Sequence, residues 1–192
     1  TGAALHLPGR GPRAARPEDL SALSARVHLD DPRRAVLAAA ILLLSQGVPL
    51  DAGLVAHVGI VEEDQPFVIP MIYGREGQVL YLHGARKARL LKLFATPAKV
   101  CVNVTLLDGL VAARSAFNSS MNYRSATLFG SVRIIDEPSE QLRTLKIISD
   151  HAFPGRWEEL RPPSDTEIKQ TAVAALSIES ASAKISEGPP DD

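Results

Sequence analysis

At 192 residues, with 45% hydrophobic residues and a formal net charge of −1, the chain has the size and composition of one globular domain. A charge so close to neutral provides no overall field toward nucleic acid or an anionic membrane, so we expect neither partner. The single cysteine, Cys101, excludes an internal disulfide framework and favours a reducing, cytoplasmic location.

The first predicted elements precede the β-rich part of the chain. Residues 1–30 mix Gly, Pro, Ala and Arg without apolar periodicity, which predicts a flexible N-terminal arm before a single domain over 31–190. Pro32–Gln46 is rich in Ala and Leu and stops at Gly47, which predicts a helix. Its apolar run, Ala35–Leu44, is about half the ~20 residues needed to cross a bilayer, so we interpret it as a core helix.

Short runs rich in β-forming residues follow, and turn signals separate them. Such a series predicts a β-barrel or a sandwich. The polar connectors Glu63–Asp64 and Arg75–Gly77 have the length expected between antiparallel neighbours, so the first three strands should pair in sequence. The predicted strands are Leu54–Val61, Pro66–Tyr73, Gln78–His83, Lys99–Leu106, Leu110–Ala113, Ser125–Ile135 and Ala172–Glu179.

Two helices interrupt the strands. The first is predicted over Arg86–Ala95, and the second begins near Pro138, where Leu142, Leu145 and Ile148 recur at helical spacing. Both are expected to cap or cross the barrel.

Familiar catalytic and metal-binding motifs give no lead. Gly9–Ala14 matches a dinucleotide fingerprint in its letters, but no strand precedes it and Pro12 disrupts the turn. His57, His83 and Cys101 lie on different predicted strands without close-spaced partners, so we expect no metal ion.

A phosphate site is suggested by Val79–Arg89, which runs from a strand through a glycine turn into a helix with a basic start. Helix starts usually favour acidic residues, so cations there point to a bound anion. Arg86, Lys87 and Arg89 would donate charge-assisted hydrogen bonds to it. The alternative is a solvated basic face.

Several segments, in this order and spacing, resemble the pyridoxamine 5′-phosphate oxidase-like split-barrel proteins, and most closely the branch that includes nitroimidazole reductases. The resemblance covers about residues 50–190, and its most distinctive run is Ser120–Ser125. The other segments are Val58–Ile60, Pro66–Gly74, Leu80–Gly84, Arg86–Lys87, Val104–Val111, Ala113–Phe117, Phe153–Trp157 and Ala181–Lys184.

The resemblance implies a mainly β fold: a six-stranded antiparallel split β-barrel, dimeric, with FMN bound at two sites in the subunit interface. It implies that backbone amides of Pro70, Met71, Ile72 and Tyr73 lie along the flavin ring, and that Arg86 and Lys87 bind its phosphate. The alignment of Arg89 stays open, because the Gly84–Ala85 turn is shorter than in many relatives.

Further residues are assigned to the flavin by the same resemblance. Ser120, Asn122, Tyr123 and Arg124 match a run that returns toward the ring, with a surface loop as the alternative. Trp157 would cover the opposite subunit's cofactor or simply pack in the core. His83 either hydrogen-bonds cofactor or substrate or is an ordinary strand-end histidine. His83, Tyr123 and Arg124 are the catalytic candidates.

The implied function is an FMN-dependent oxidoreductase that acts on an unidentified small organic substrate. The alternative is a non-catalytic protein that binds or stores a flavin, a deazaflavin or haem. Oxidation of pyridoxamine 5′-phosphate itself is disfavoured, because true oxidases carry an Arg-x-His segment after the barrel. Here the Arg-x-His match is Arg26–His28, in the N-terminal arm.

Overall fold

Six β-strands form a closed antiparallel barrel in the computed structural model, which describes residues 49–95 and 98–190. Around the barrel the strand order is β1-β2-β3-β6-β5-β4, and β4 pairs with β1 to close it. The six-stranded antiparallel barrel expected from the sequence is therefore confirmed. The strands are β1 (Val55–Glu62), β2 (Gln65–Glu76), β3 (Val79–Ala85), β4 (Ala98–Val111), β5 (Ser120–Ile135) and β6 (Thr171–Ser186).

Within residues 49–95 and 98–190, four α-helices and one short 3-10 helix accompany the barrel, and α3 is the longest of them. Glu137 caps its start by accepting hydrogen bonds from the backbone of Ser139 and Glu140, and Pro138 occupies the first turn. The helices are α1 (Pro49–Ala52), α2 (Arg89–Leu93), α3 (Pro138–Ala152) and α4 (Asp165–Gln170), and the 3-10 helix is Arg156–Glu159.

Alternation of side chains along the strands builds the barrel core. Ala56, Val58 and Ile60 of β1 are buried, whereas their neighbours face outward. The core continues through Leu80 and Leu82 of β3. Each fully buried Val, Leu or Ile side chain contributes roughly 1.5–3 kcal/mol to the free energy of folding. The inward-facing side chains therefore account for much of the barrel's stability.

A second apolar layer lies outside the barrel, where α3 covers β2 and β3. Tyr81 of β3 and Val173 of β6 pack there with Ile135 and with Ile148 of α3. A helix therefore covers the side of β3 that points away from the barrel interior. This layer borders the cavity of about 650 Å³ described below.

Several predicted boundaries were wrong because strand pairing extends the elements. The two strands predicted at Lys99–Leu106 and Leu110–Ala113 are one strand, β4, which pairs with β5 across an irregularity between Leu107 and Gly109. Pairing with β4 also starts β5 at Ser120, and pairing with β5 extends β6 to Ser186. The secondary-structure preferences of individual residues carry no information about these cross-strand hydrogen bonds.

The predicted N-terminal arm, residues 1–30, and the predicted helix Pro32–Gln46 lie outside the described residues. The prediction of one domain over 31–190 therefore stays a prediction for its first part.

A buried tyrosine ties α1 to the barrel, and this contact gives a stability prediction. The hydroxyl of Tyr73 donates a hydrogen bond of 2.7 Å to the carbonyl of Leu50, and burial raises the pKa of that hydroxyl. Tyr73→Phe removes this buried donor from the Leu50 carbonyl and should lower the free energy of unfolding by about 1–3 kcal/mol. Urea denaturation of the wild type and the variant measures this difference in the free energy of unfolding. Tyr123→Phe is the control: the Tyr123 hydroxyl contacts Lys184 at the surface, and its loss should change stability by less than about 0.5 kcal/mol.

Candidate functional site

A cavity of about 380 Å³, called here the β2–β3 groove, contains four of the residues that the sequence assigned to a flavin. Pro70, Met71 and Ile72 of β2 line it together with His83 at the end of β3. The groove is closed on another side by α2 through Leu90. Two antiparallel strands and a short helix thus bring residues from separate segments into one concave site.

Tyr73, the fourth residue of the predicted flavin strand, turns the other way. Its side chain is fully buried, and its ring lies 4.7 Å from the ring of His151. His151 in turn donates from Nε2 to the carbonyl of Gly53 at 2.7 Å. The Tyr73 side chain is therefore structural, which leaves its backbone as the part able to meet a ligand.

Arg86 and Lys87 precede the helix instead of beginning it, contrary to the sequence prediction. Arg86 donates its backbone N–H to the carbonyl of Gln170, and Ala88 is extended, so α2 starts at Arg89. A five-residue helix without its predicted first turn offers no helix-start anion site. The hydrogen bond between the backbones of Arg86 and Gln170, which is far along the sequence, is the physical reason why the helix begins later than predicted.

The three cations of this segment have different surroundings. Arg86 contacts the carbonyls of Lys169 and Thr171 and lies 3.7 Å from Asp136. Arg89 pairs with a carboxylate of β1 and stacks 3.8 Å over the ring of Phe67. Lys87 is exposed, and the described residues give it no ion-pair partner. Lys87 is thus the cation of the three that is available to an anionic ligand.

A second cavity, called here the helix cavity, has a volume of about 650 Å³ and lies between β3, α3 and the segment that leads to α4. His83 and Trp157, which the sequence singled out separately, both line it. Most of its wall is apolar. The apolar lining residues are Leu142, Leu145, Ile148, Leu160, Pro162 and Pro163.

His83 lines both cavities, which makes it the residue common to the two. Burial lowers the pKa of its imidazole below the ordinary value and so favours the neutral ring. Its Nδ1 atom is buried, and no described residue hydrogen-bonds to it. A buried polar atom left unpaired costs about 1–3 kcal/mol, and such atoms in native proteins call for a partner.

Charged residues at the rim of the helix cavity are neutralised in pairs. Arg161 donates to both carboxylate oxygens of Glu167, at 2.9 and 2.6 Å, and the pKa of Glu167 is lowered to about 2 mainly by this contact. Glu158 pairs with Lys146 at 2.6 Å. The rim therefore carries no unpaired carboxylate charge among its described glutamates.

The predicted ring-side residues lie together at the start of β5. Ser120 is exposed, and Asn122 donates from its side chain to the carbonyl of Gly188 at 3.0 Å. The Lys184 ammonium lies 5.5 Å from the centre of the Tyr123 ring. Arg124 forms a two-pronged ion pair with Asp108, at 2.7 and 2.9 Å, which lowers the pKa of that carboxyl.

The start of β5 and His83 occupy opposite ends of β6. His83 pairs with Val173 near the beginning of β6, whereas Arg124 pairs with Ile185 near its end. At ~3.3 Å per residue, the path along the strand between those two positions is on the order of 40 Å. Neither the β2–β3 groove nor the helix cavity, both of which His83 lines, is lined by a residue of β5.

An apolar surface on the outside of the barrel was missed by the sequence reasoning. Val68, Gly59, Cys101 and Phe129 are successive partners across β2, β1, β4 and β5, so they share one face. Val68 is 66% exposed and Phe129 is 48% exposed. A groove of about 470 Å³ lies against this row, which is called the outer face below. The signal in the sequence that could have revealed this surface is the apolar residues at outward-facing positions of the strands.

The described part of the chain contains neither a cluster of metal-binding side chains nor a helix that could span a membrane. Within 49–95 and 98–190, no three His, Cys, Asp or Glu side chains are grouped to hold a metal ion. Among these same residues, no helix combines the length and apolar character needed to cross a membrane.

Comparisons with known proteins identify the family. Residues 49–185 match the family model for pyridoxamine 5′-phosphate oxidase. A FAD- and haem-binding protein from Mycobacterium smegmatis is 41% identical, with a TM-score of 0.70; the similarity covers 74% of this chain and 70% of that one. The flavocytochrome Anf3 from Azotobacter vinelandii is 44% identical, with a TM-score of 0.69, over 75% of this chain and 67% of that one.

A more distant structure shares the fold. A 5-nitroimidazole antibiotic resistance protein from Bacteroides thetaiotaomicron is 23% identical, with a TM-score of 0.58, over 81% of this chain and 84% of that one. No curated protein matches the sequence. From the family model and the two relatives above 40% identity, the chain belongs to the pyridoxamine 5′-phosphate oxidase-like family of flavin-binding split-barrel proteins.

Proposed function

We propose that this protein is a flavin-dependent oxidoreductase that binds its flavin in the β2–β3 groove. The observation that carries the proposal is the groove itself, where Pro70, Met71, Ile72 and His83 line one cavity. A bound flavin supplies hydride and electron transfer, and the protein supplies binding, orientation and electrostatics. The substrate class is a small organic molecule.

The relatives favour FAD over the FMN expected from the sequence. The M. smegmatis protein is described as binding FAD and haem, and Anf3 is described as a flavocytochrome. We therefore propose FAD together with haem for this chain, with FMN as the alternative. Both flavins have the same ring and the same first phosphate, so the groove residues serve either one.

The experiment that tests this proposal is cofactor analysis of the full chain purified from its expression host. Flavin and haem have distinct absorption bands, and chromatography of the heat-released flavin separates FAD from FMN. We expect FAD and a haem band. Protein that stays colourless after incubation with FAD, FMN and hemin would contradict the proposal.

Turnover separates an oxidoreductase from a storage or sensor protein. An enzyme should lose its flavin absorbance when NADH or NADPH is added and regain it with oxygen or an organic acceptor. Tightly bound flavin with negligible turnover over the same series would favour the non-catalytic alternative.

We also propose that the protein is a homodimer whose flavin sites are shared between subunits. The support is the distance along β6 between His83 and the start of β5: if both contact one flavin, they come from different subunits. The outer face suits a second copy of this chain, because exposed Val68 and Phe129 would be buried against their equivalents. A cytoplasmic location remains the proposal from the lone cysteine.

Lys87 provides a specific test of phosphate binding. Lys87→Ala removes an exposed charge next to the groove and should weaken FAD and FMN binding by about tenfold, the lower end of a charge-assisted hydrogen bond's contribution. Riboflavin, which lacks the phosphate, should bind unchanged. Fluorescence titration measures all three ligands. Lys92→Ala, an exposed lysine on α2, is the matched control. An equal loss for riboflavin would show that Lys87 does not contact the phosphate.

A further inference from the structure

The helix cavity differs from the β2–β3 groove in size and in chemistry. It is the larger of the two, at about 650 Å³ against about 380 Å³, and its walls are mainly aliphatic and proline side chains. A volume of this order suits a large, mostly apolar ligand. The flat ring of Trp157 contributes an aromatic surface to the wall.

His83 gives this apolar cavity its one imidazole among the described lining residues. β3 carries the ring, and its backbone pairs with β6 at His83 itself and with β2 as far as Leu82. Its Nδ1 lacks a hydrogen-bond partner among the described residues. An imidazole in an apolar cavity is a common way to hold haem iron.

We propose that the helix cavity holds a haem and that His83 would be a ligand of its iron. This inference rests on the proposed function, because it takes the haem from there. What it adds is the site and the ligand. The cavity combines the three properties that a haem requires: an apolar wall, sufficient volume and an imidazole.

The rim is compatible with the carboxylate groups of a haem. Its carboxylates Glu158 and Glu167 are already paired, with Lys146 and Arg161 respectively. Arg161 uses two of its nitrogens for Glu167 and the carbonyl of Pro162, which leaves further N–H donors on the same guanidinium. Arg161 is the cation among the described lining residues that a haem carboxylate would meet.

The position of His83 also relates the haem to the flavin. Because His83 lines both cavities, a haem in one and a flavin in the other would be neighbours separated by β3 and this side chain. Such an arrangement suits a protein in which electrons pass between a flavin, which can carry two electrons, and a haem, which carries one.

The test is a hemin titration of the 192-residue chain and of two histidine variants. His83→Ala should lower hemin affinity by more than ~10-fold, since loss of even an outer partner of a metal ligand costs 10–100-fold. The Soret band should shift, and added imidazole should restore it. His57→Ala, which removes an exposed histidine of β1, is the control and should leave both affinity and spectrum unchanged.

A second variant tests the cavity without altering the ligand. Leu142 lines the cavity and is 38% exposed, so Leu142→Trp should fold and block the space. We expect it to lose hemin and keep its flavin, and circular dichroism should match that of the wild type.

The outcomes separate this inference from the function on which it rests. If the wild type binds no hemin, the haem part of the proposed function fails. If the wild type binds hemin and His83→Ala binds it equally well with the same spectrum, the ligand assignment is wrong. Unchanged hemin binding by folded Leu142→Trp protein would overturn the choice of cavity.

Discussion

Val68→Asp should convert the proposed homodimer into a monomer with little bound flavin. Val68 lies on the outer face of β2 and is 66% exposed in the single chain. In a twofold-symmetric dimer one substitution introduces two carboxylates, and burying an unpaired charge costs several kcal/mol. The dimer dissociation constant should therefore rise by more than ~100-fold. Sedimentation velocity and the flavin-to-protein absorbance ratio measure the two effects on one preparation.

The matched control for this prediction is Phe153→Asp. Phe153 is a large apolar residue of similar exposure, 60%, but it lies at the end of α3 and not on the outer face. It should leave both the oligomeric state and the flavin content unchanged. A Val68→Asp dimer with full flavin would show that this face is not the interface, and a monomeric wild type with full flavin would contradict the shared site itself.

Local patterns in the sequence predicted most of the strands, whereas the choice of a six-stranded barrel over a sandwich came from the family resemblance. In β1 the alternation of Ala56, Val58 and Ile60 with outward residues marks a half-buried strand without knowledge of its partners. Strand ends are different. Ser120 and Ser186 are weak strand formers, and they belong to strands because of pairing across the sheet, which a local pattern does not record.

The candidate site was predicted in pieces rather than as an assembly. Pro70 and His83 were both assigned to a flavin, and they do line one groove. Trp157 was assigned to the other subunit's cofactor, but within this chain it lines the helix cavity with His83. The depth and walls of that cavity depend on how α3 packs over β3, which no spacing in the sequence expresses.

The partners of the candidate cations also could not be predicted from the sequence. Arg86 and Arg124 were identified as cations available to a ligand, yet Arg86 contacts backbone carbonyls near α4 and Arg124 pairs with Asp108. Asp108 lies within an irregularity in the pairing of β4 with β5, between Leu107 and Gly109, and that register decides which side chains meet. Arg124 therefore serves a flavin only together with, or after release from, its carboxylate partner.

Gly130→Ala should be the most destabilising of the single-methyl additions to the strands. Gly130 lies where the pairing of β5 with β6 shifts register, and a Cβ there would stand 2.0 Å from the carbonyl oxygen of Ser177. Because that contact is with backbone, the two longest strands must separate locally, and overpacking of this kind costs about 3 kcal/mol or more. Thermal denaturation should show a melting temperature lower by about 6–12 °C. Gly109→Ala in β4 is the control, since nothing lies within 4 Å of its added Cβ, and it should be neutral or stabilising by up to about 1 kcal/mol. If Gly130→Ala melted together with Gly109→Ala, the close approach of β5 and β6 at Ser177 would be wrong.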